Sequence, residues 1–217
     1  LTVVLLLDMS KSTYFGTVNK LKRRLAAEVC SLLAFSAIQN NDKVGLIAFS
    51  DRIEKFVPPR KGLRHGLRIV REALYFNPVG CGTNISGALE YLNRVCLRRT
   101  VSFIISDFYD HGFKKALSIA NRRHDITAIT ITDPKEIDLP KVGLISLLDA
   151  EGAKGFIVDT SNEAVRKAFH NNALNVINER KKIFGSINVD NIDIRTDISY
   201  ARALVSFFRM RERRMRR

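Results

Sequence analysis

The sequence has few cysteines and no long apolar run, and each shortage excludes a class of protein. Its three cysteines, Cys30, Cys81 and Cys96, are odd in number and form no CxxC pair. That pattern favours reduced thiols in a cytosolic protein over a disulfide framework or a zinc site. The apolar runs, such as VVLLL and GLIAF, are three to five residues long, far below the ~20 residues of a membrane-spanning helix. We therefore expect a cytoplasmic protein without a transmembrane segment.

Acidic residues are scarce beside basic ones. The 217 residues include 36 Lys and Arg but 22 Asp and Glu, which gives a formal net charge of +14. Six of the last nine residues are Arg, so we expect a basic C-terminal helix or tail over about residues 209–217 that lies outside the core. Such charge usually marks a solvated face, and the alternative is an anionic partner. Aromatic residues accompany the charges only at Phe207 and Phe208, so stacking platforms for single-stranded nucleic acid are not evident.

Apolar runs alternate with helical patterns along the chain. The runs typical of buried strands span residues 2–7, 43–50, 100–108 and 126–133. Weaker strand patterns occupy residues 52–59, which must form a hairpin with the second run, and 143–149, 155–160 and 187–194. Apolar residues recur at helical spacing over 18–36, 63–74, 85–95, 113–120, about 163–184 and the final segment. The stripe predicted to face the core in the second helix consists of Leu63, Leu67, Val70 and Leu74.

This alternation predicts an α/β fold. We expect a doubly wound, mostly parallel sheet with one antiparallel edge strand and helices on both faces. No repeat, low-complexity linker or domain boundary is visible, so we interpret residues 1–217 as a single domain.

Acids and hydroxyls follow the predicted strands. Asp8 ends the first buried strand and Asp107 ends the third. In doubly wound sheets ligands bind beyond the carboxyl ends of the strands, where the strand order reverses, so we expect the two acids to face one crevice. Ser10 and Ser12 lie on the turn after the first strand, and Thr83 lies in the glycine-rich segment "GCGTN".

Together these residues have the chemistry of a magnesium site. Taken singly, each would be an ordinary turn or cap residue. Hydroxyl and carboxylate oxygens are hard donors, and Mg²⁺ takes about six of them in an octahedron. We expect the hydroxyls of Ser10, Ser12 and Thr83 to bind Mg²⁺ or Mn²⁺ directly, with Asp8 and Asp107 acting mostly through water. Neutral hydroxyls leave the ion under-neutralised, so we expect an Asp or Glu of a partner protein to complete its coordination.

The pattern Asp8-x-Ser10-x-Ser12, then Thr83, then Asp107 resembles the metal-ion-dependent adhesion site of von Willebrand factor A domains. All five positions match, over a separation of about a hundred residues. We further expect Lys11, Asn84 and Asp110 to line the partner-binding rim.

A narrower resemblance covers most of the chain. The segments "FGT", "GTNISGALEYL", "ISDF" and "TDISYARALVSFFRMRERR" are similar to the bacterial "domain of unknown function 58" family, whose core is such an A domain. In that family another segment precedes the A domain, and because Leu1 lies inside a predicted strand we expect one here. The resemblance implies a protein-protein interaction module, often encoded beside a MoxR-type AAA+ ATPase, with no known reaction. Lys11 and Thr13 depart from the family, replacing a small residue and a Met common in the turn.

Two other functions compete with this prediction. A haloacid-dehalogenase-type phosphatase has a second Asp two residues after the strand-end Asp, but Ser10 stands there and cannot serve as that acid near neutral pH. No GxxxxGK[ST], GxGxxG, GxSxG or HExxH motif occurs, so we expect no enzymatic activity. The remaining alternative is a basic protein that binds nucleic acid or an anionic membrane surface and carries a vestigial metal site.

Overall fold

The computed structural model describes residues 1–17, 20–148 and 155–215. Within these ranges the strands are β1 (Thr2–Asp8), β2 (Lys43–Phe49), β3 (Ile53–Arg60), β4 (Val101–Ser106), β5 (Asp125–Thr132), β6 (Leu144–Leu148), β7 (Gly155–Asp159) and β8 (Asp190–Arg195). The α-helices are α1 (Lys22–Gln39), α2 (Leu63–Tyr75), α3 (Ile85–Val95), α4 (Lys114–Arg123), α5 (Glu163–Ser186) and α6 (Tyr200–Met215).

Six strands form the main sheet in the order β3-β2-β1-β4-β5-β8. Only β3 is antiparallel to its neighbour, and it lies at one edge. The chain fills the sheet outward from β1 in one direction and from β4 in the other, so the strand order reverses between these two strands. The predicted doubly wound α/β fold with one antiparallel edge strand is confirmed.

The two faces of the sheet bury separate apolar clusters. Leu5 and Leu7 of β1 contact the cluster covered by α1, α2 and α6, whereas Val4 and Leu6 contact the cluster covered by α3, α4 and α5. Because successive side chains of a strand point to opposite faces, a strand covered on both sides must be apolar throughout. This is why the central strands are continuous apolar runs.

The predicted strand pair at 143–149 and 155–160 exists, but outside the main sheet. Strands β6 and β7 pair only with each other, in an antiparallel two-stranded sheet. Of the turn predicted between them, AEGAKG at residues 150–155, only Gly155 is described, as the first residue of β7; residues 150–154 lie outside the described residues. The predicted start of the first helix at residue 18 also lies outside them, and α1 begins at Lys22.

The core stripe predicted for α2 is wrong by about one position. Leu63 and Leu67 are 59% and 50% exposed, and the buried residues of this helix are Gly66, Ile69 and Ala73. The reason is the close approach of α1: a Cβ on Gly66 would lie 1.7 Å from Cδ1 of Ile38. Gly66 faces the neighbouring helix and Leu63 and Leu67 face outward, whereas the predicted core residue Leu74 is partly buried against the core cluster.

The basic C-terminal segment is helical and contacts the sheet. Residues 209–215 continue α6, and the Arg211 guanidinium forms an ion pair with Asp125 at the start of β5. Arg214 Nη1 lies 2.9 Å from Asp190 Oδ1 at the start of β8. Arg211 thus contacts the sheet through a carboxylate that was not visible in the sequence, and among the described residues none beyond Phe207 belongs to either apolar cluster. Among the described helices, none is long and apolar enough to cross a membrane.

Candidate metal site

The loop after β1 brings Asp8, Ser10 and Ser12 together. The backbone N–H of Ser10 donates to Asp8 Oδ1 at 2.9 Å, and the hydroxyl oxygens of Ser10 and Ser12 lie 3.0 Å apart. A short 3-10 helix over Lys11–Tyr14 follows, and the Thr13 hydroxyl donates to the Ser10 carbonyl at 2.7 Å. These local bonds fix the turn, so the oxygens are held in place without a ligand.

Asp8 is a buried carboxylate at the point where the strand order reverses. The register pairs Leu7 with Ile105, and one residue further the Ser106 hydroxyl donates to Asp8 Oδ2 at 2.5 Å. Burial, and next the negative charge of Asp107, raises the pKa of the Asp8 carboxyl to about 7. Because the two carboxylates repel each other, a cation bound near both of them would be stabilised.

Asp107 forms a buried ion pair. Its Oδ2 accepts a hydrogen bond from the Lys22 ammonium at 2.7 Å, and the same ammonium donates to Glu136 Oε1 at 2.5 Å. Burial lowers the pKa of Lys22, but the Asp107 and Glu136 carboxylates outweigh it and hold this pKa above its ordinary value. The Asp107 carbonyl accepts from Arg180 at 2.9 Å. Asp107 therefore lies at the predicted edge of the sheet, but its carboxylate is already paired with the Lys22 ammonium.

Thr83 lies in a loop that is tied to the first site loop. The Lys11 N–H donates to the Cys81 carbonyl at 2.9 Å, and the Asn84 N–H donates to the Ser50 carbonyl at 2.8 Å. Glu54 secures the start of the loop, because its carboxylate accepts from the backbone N–H groups of residues 79 and 80 and from the Ser50 hydroxyl. The loop that carries Thr83 is thus joined to the loop of Ser10 and Ser12 through backbone contacts.

Two of the three predicted rim residues also cap a helix. Asn84 is the N-cap of α3, with its Oδ1 accepting from Gly87 N at 2.8 Å, and Asp110 Oδ2 accepts from Ile85 N at 2.8 Å. Both satisfy N–H groups of the first helical turn, which have no partner within the helix. Lys11 is exposed. The structure brings the rim residues to the same edge as the five predicted ligands.

Sequence analysis missed Lys22, Ser106, Glu54 and Glu136. For Lys22 a signal was present: it precedes the buried Ala26 and Val29 of α1 by four and seven residues, the spacing of one helix face. It was hidden in the basic run "KLKRR", which resembles a solvated segment. Ser106 and Glu54 act through contacts with distant parts of the chain, which no local pattern reveals. Glu136 had a local signal, since it forms a capping box with Asp133, but its contact with Lys22 joins residues far apart in sequence.

The residues present fit a hard divalent cation. Across residues 1–17, 20–148 and 155–215, no three His, Cys, Asp or Glu side chains are grouped so that they could hold a metal ion. Any ion at this edge would therefore depend on hydroxyl oxygens together with carboxylates. The Ser10 and Ser12 hydroxyl oxygens lie 3.0 Å apart, and Asp8 Oδ1 accepts from the Ser10 backbone N–H. Hydroxyl and carboxylate oxygens are the donor chemistry that Mg²⁺ and Mn²⁺ accept.

Fold and edge together define an α/β protein with buried acids and a buried hydroxyl at its topological switch point. The chain belongs to the family described as "Protein of unknown function DUF58", whose model matches residues 1–179. It is 28% identical over 214 residues to "Uncharacterized protein Rv1480" of Mycobacterium tuberculosis, covering 96% of this chain and 67% of that protein. The family predicted from the sequence is confirmed.

Solved structures share the fold. The chain resembles the conserved hypothetical protein BatB of Bacteroides thetaiotaomicron with a TM-score of 0.61 and 17% identity, covering 98% of each chain. It resembles an aerotolerance-related membrane protein of Bacteroides fragilis with a TM-score of 0.56 and 19% identity, covering 87% of this chain and 98% of that one. At these identities the likeness concerns the fold alone.

Proposed function

We propose that this protein is a divalent-metal-dependent protein-interaction module without catalytic activity. The observation that carries the proposal is the contact between the Ser10 and Ser12 hydroxyls, 3.0 Å apart, beside the Asp8 carboxylate. Thr83 and Asp107 stand on loops at the same edge and complete the proposed set of oxygen donors. Bound there, Mg²⁺ or Mn²⁺ would supply a positive centre to which a carboxylate of a partner can bind.

Hydrogen bonds within the chain position the donor atoms at this edge in the absence of a partner. Ser106 and the Ser10 backbone hold the Asp8 carboxylate in one orientation. The bond between Lys11 N and the Cys81 carbonyl keeps the Thr83 loop against the first loop. Donor atoms that are already held in position lose little conformational entropy when an ion binds, so a site of few ligands can still be selective.

The surface beside the site suits an acidic partner with an apolar flank. A cavity of about 370 Å³ is lined by Lys11, Tyr14, Pro78, Val79 and Gly80. Val79 is 78% exposed and Tyr14 46% exposed, which offers apolar contact, and Lys11 adds positive charge that steers an acidic face.

A MoxR-type AAA+ ATPase is the candidate partner that the family resemblance offers. Three free cysteines support a cytoplasmic location.

The metal site is tested by removing one hydroxyl. We expect Thr83→Ala to weaken Mg²⁺ binding at least tenfold, as loss of a metal-site contact commonly does, with an unchanged circular dichroism spectrum. The matched control is Thr2→Ala, at the opposite end of β1. Isothermal titration calorimetry measures both variants against the wild type, and equal Mg²⁺ affinity in Thr83→Ala and wild type would contradict the assignment.

The partner arrangement is tested by removing the metal. A partner bound through its own carboxylate should be retained in Mg²⁺ and lost in excess EDTA, and Thr83→Ala should lose it in both. Retention in EDTA excludes the metal bridge and makes the basic surface the leading explanation.

That second candidate function has its own observation. The outward face of α6 lines a groove of about 710 Å³ that includes Arg202, Arg209 and Arg213. The side chains of these three arginines are exposed. A polyanion bound there should dissociate steeply with salt and be indifferent to EDTA, which a DNA-binding titration with and without EDTA distinguishes.

A further inference from the structure

Lys22 is a buried cation at the candidate metal site. It is the first residue of α1, is 1% exposed, and bridges Asp107 and Glu136 at 2.7 and 2.5 Å. The ring of Tyr109 covers its ammonium at 5.5 Å from the ring centroid. Withdrawing such charges from water offsets most of their attraction, so a buried ion pair is weak evidence for a stabilising role. Its position against a predicted ligand therefore points to a role in the site.

We propose that Lys22 determines how strongly this site holds a divalent cation: its ammonium neutralises Asp107, so the free protein binds metal weakly, and a partner's carboxylate supplies the missing negative charge. Metal retention then depends on partner binding. The inference rests on the proposed function and names the residue that regulates it.

The physical reason is competition between two cations for one carboxylate. Asp107 Oδ2 accepts a hydrogen bond from Lys22 Nζ, so Oδ1 is the oxygen left to bind a metal. Oδ1 lies 3.3 Å from the backbone nitrogen of Tyr109. The serine hydroxyls are neutral, and the Asp8 carboxylate beside them accepts from a backbone N–H and a hydroxyl, both neutral donors. Lys22 Nζ touches the same carboxylate that the ion would use, and the repulsion between two cations is screened less at a buried site than in open water. An ammonium this close therefore lowers metal affinity substantially.

The ion pair provides two changes with opposite expected effects. Lys22→Gln removes the competing cation while keeping a hydrogen-bond donor, so the metal should bind tighter. Glu136→Gln removes one of the two anions that balance Lys22, so more of the ammonium's charge acts on the site and the metal should bind more weakly. Glutamine can still accept from the Asp133 N–H, which Glu136 Oε2 now does at 2.9 Å. A purely structural ion pair would make both variants bind more weakly.

The experiment measures Mn²⁺ dissociation constants from the electron paramagnetic resonance signal of the free ion. We expect Lys22→Gln to bind Mn²⁺ at least tenfold tighter than wild type, and Glu136→Gln several-fold more weakly. Lys20→Gln is the matched control, because Lys20 pairs with Glu28 at the surface, and it should stay within about twofold because exposed pairs contribute little. The melting temperature with and without Mn²⁺ gives a second readout, with the larger metal-dependent rise in Lys22→Gln.

The outcomes separate the two proposals. If wild type binds Mn²⁺ but Lys22→Gln binds it equally or more weakly, the role of Lys22 is overturned and the metal site stands. If neither binds at millimolar Mn²⁺, the proposed function fails and the inference with it. Should Lys22→Gln not fold, Lys22→Met, which also removes the ammonium charge, takes its place: tighter Mn²⁺ binding supports the inference, and unchanged or weaker binding overturns it.

Discussion

At the scale of single residues, the candidate site is distinguished by how its carboxylates are balanced. Asp8 is held by a hydroxyl and a backbone N–H, both neutral donors, whereas Asp107 contacts an ammonium. Two buried acids at the ends of neighbouring strands therefore have different partners, and only Asp107 has a cation of the protein bound to it. This asymmetry leaves Asp8 as the acid with most attraction for an added cation.

The cysteines allow a simple residue-level prediction. Burial raises the pKa of the Cys30 thiol to about 12, whereas Cys81 is partly exposed on the loop beside the site. Since the thiolate is the reactive form, we expect iodoacetamide to modify Cys81 first and to leave Cys30 unmodified in the native protein. Peptide mass spectrometry after a time course measures this.

The control for this labelling is Cys81→Ser, which should remove the fast reaction. Modification of Cys30 at the rate of Cys81 would contradict the buried position of Cys30 in the core. Labelling of Cys30 in denaturant confirms that the reagent can reach it once the fold is lost.

At the scale of elements, the packing of α1 against α2 depends on a glycine. A Cβ on Gly66 would lie 1.7 Å from Ile38 Cδ1, so Gly66→Ala forces Ile38 from its rotamer. Overpacking of this kind costs about 1–3 kcal/mol, more than the ~1 kcal/mol that alanine gains over glycine in a helix. We expect Gly66→Ala to lower the free energy of unfolding, measured by urea denaturation.

The sign of this effect should reverse when the obstacle is removed. Ile38→Ala deletes both Cδ1 and Cγ1, which a Cβ on Gly66 would meet at 1.7 and 3.1 Å, so adding Gly66→Ala in that background should stabilise the protein by up to about 1 kcal/mol. Gly185→Ala in α5, where a Cβ meets nothing within 4 Å, should stabilise the wild type in the same way. Destabilisation by Gly66→Ala of equal size in both backgrounds would show that Ile38 is not the cause.

At the scale of the whole molecule, the two ends of the sheet differ in chemistry. The carboxyl ends of β1 and β4 carry the candidate metal site, and the amino ends of β5 and β8 carry Asp125 and Asp190, which bind arginines of α6. The basic helix is therefore anchored at the end opposite the candidate site. A partner bound to the metal and an anion bound to the end of α6 would not compete for one surface.

The anchoring of α6 predicts different roles for neighbouring arginines. Arg211 pairs with Asp125 and lies 5.8 Å from the Phe207 ring, whereas Arg213 is exposed. We expect Arg211→Met to lower the melting temperature by about 2–4 °C, the effect of roughly 1 kcal/mol in a domain of this size. Arg213→Met should leave it unchanged, as differential scanning calorimetry can show. Equal melting temperatures for the two variants would mean that the Arg211 pair contributes nothing measurable.

The sequence by itself determined the class of fold and the residues proposed as ligands. Strands covered on both faces must be apolar throughout, so runs such as residues 2–7 were visible without any structure. Strand-end acids and turn hydroxyls are local features too, which is why Asp8, Ser10 and Ser12 could be predicted to lie together. The family assignment rests on the same local segments.

Only the tertiary structure decided which neighbours those residues have. The ion pair of Lys22 with Asp107 joins residues 85 positions apart, and Lys22 stands in a basic run that predicts solvent exposure. The outward position of Leu63 and Leu67 depends on how closely α1 approaches Gly66. The ion pair of Arg211 depends on the fold bringing Asp125, 86 residues away in sequence, into contact with it. A periodic pattern fixes what one element can bury, but the charges and side chains that meet it come from other elements, and their distances are set by packing.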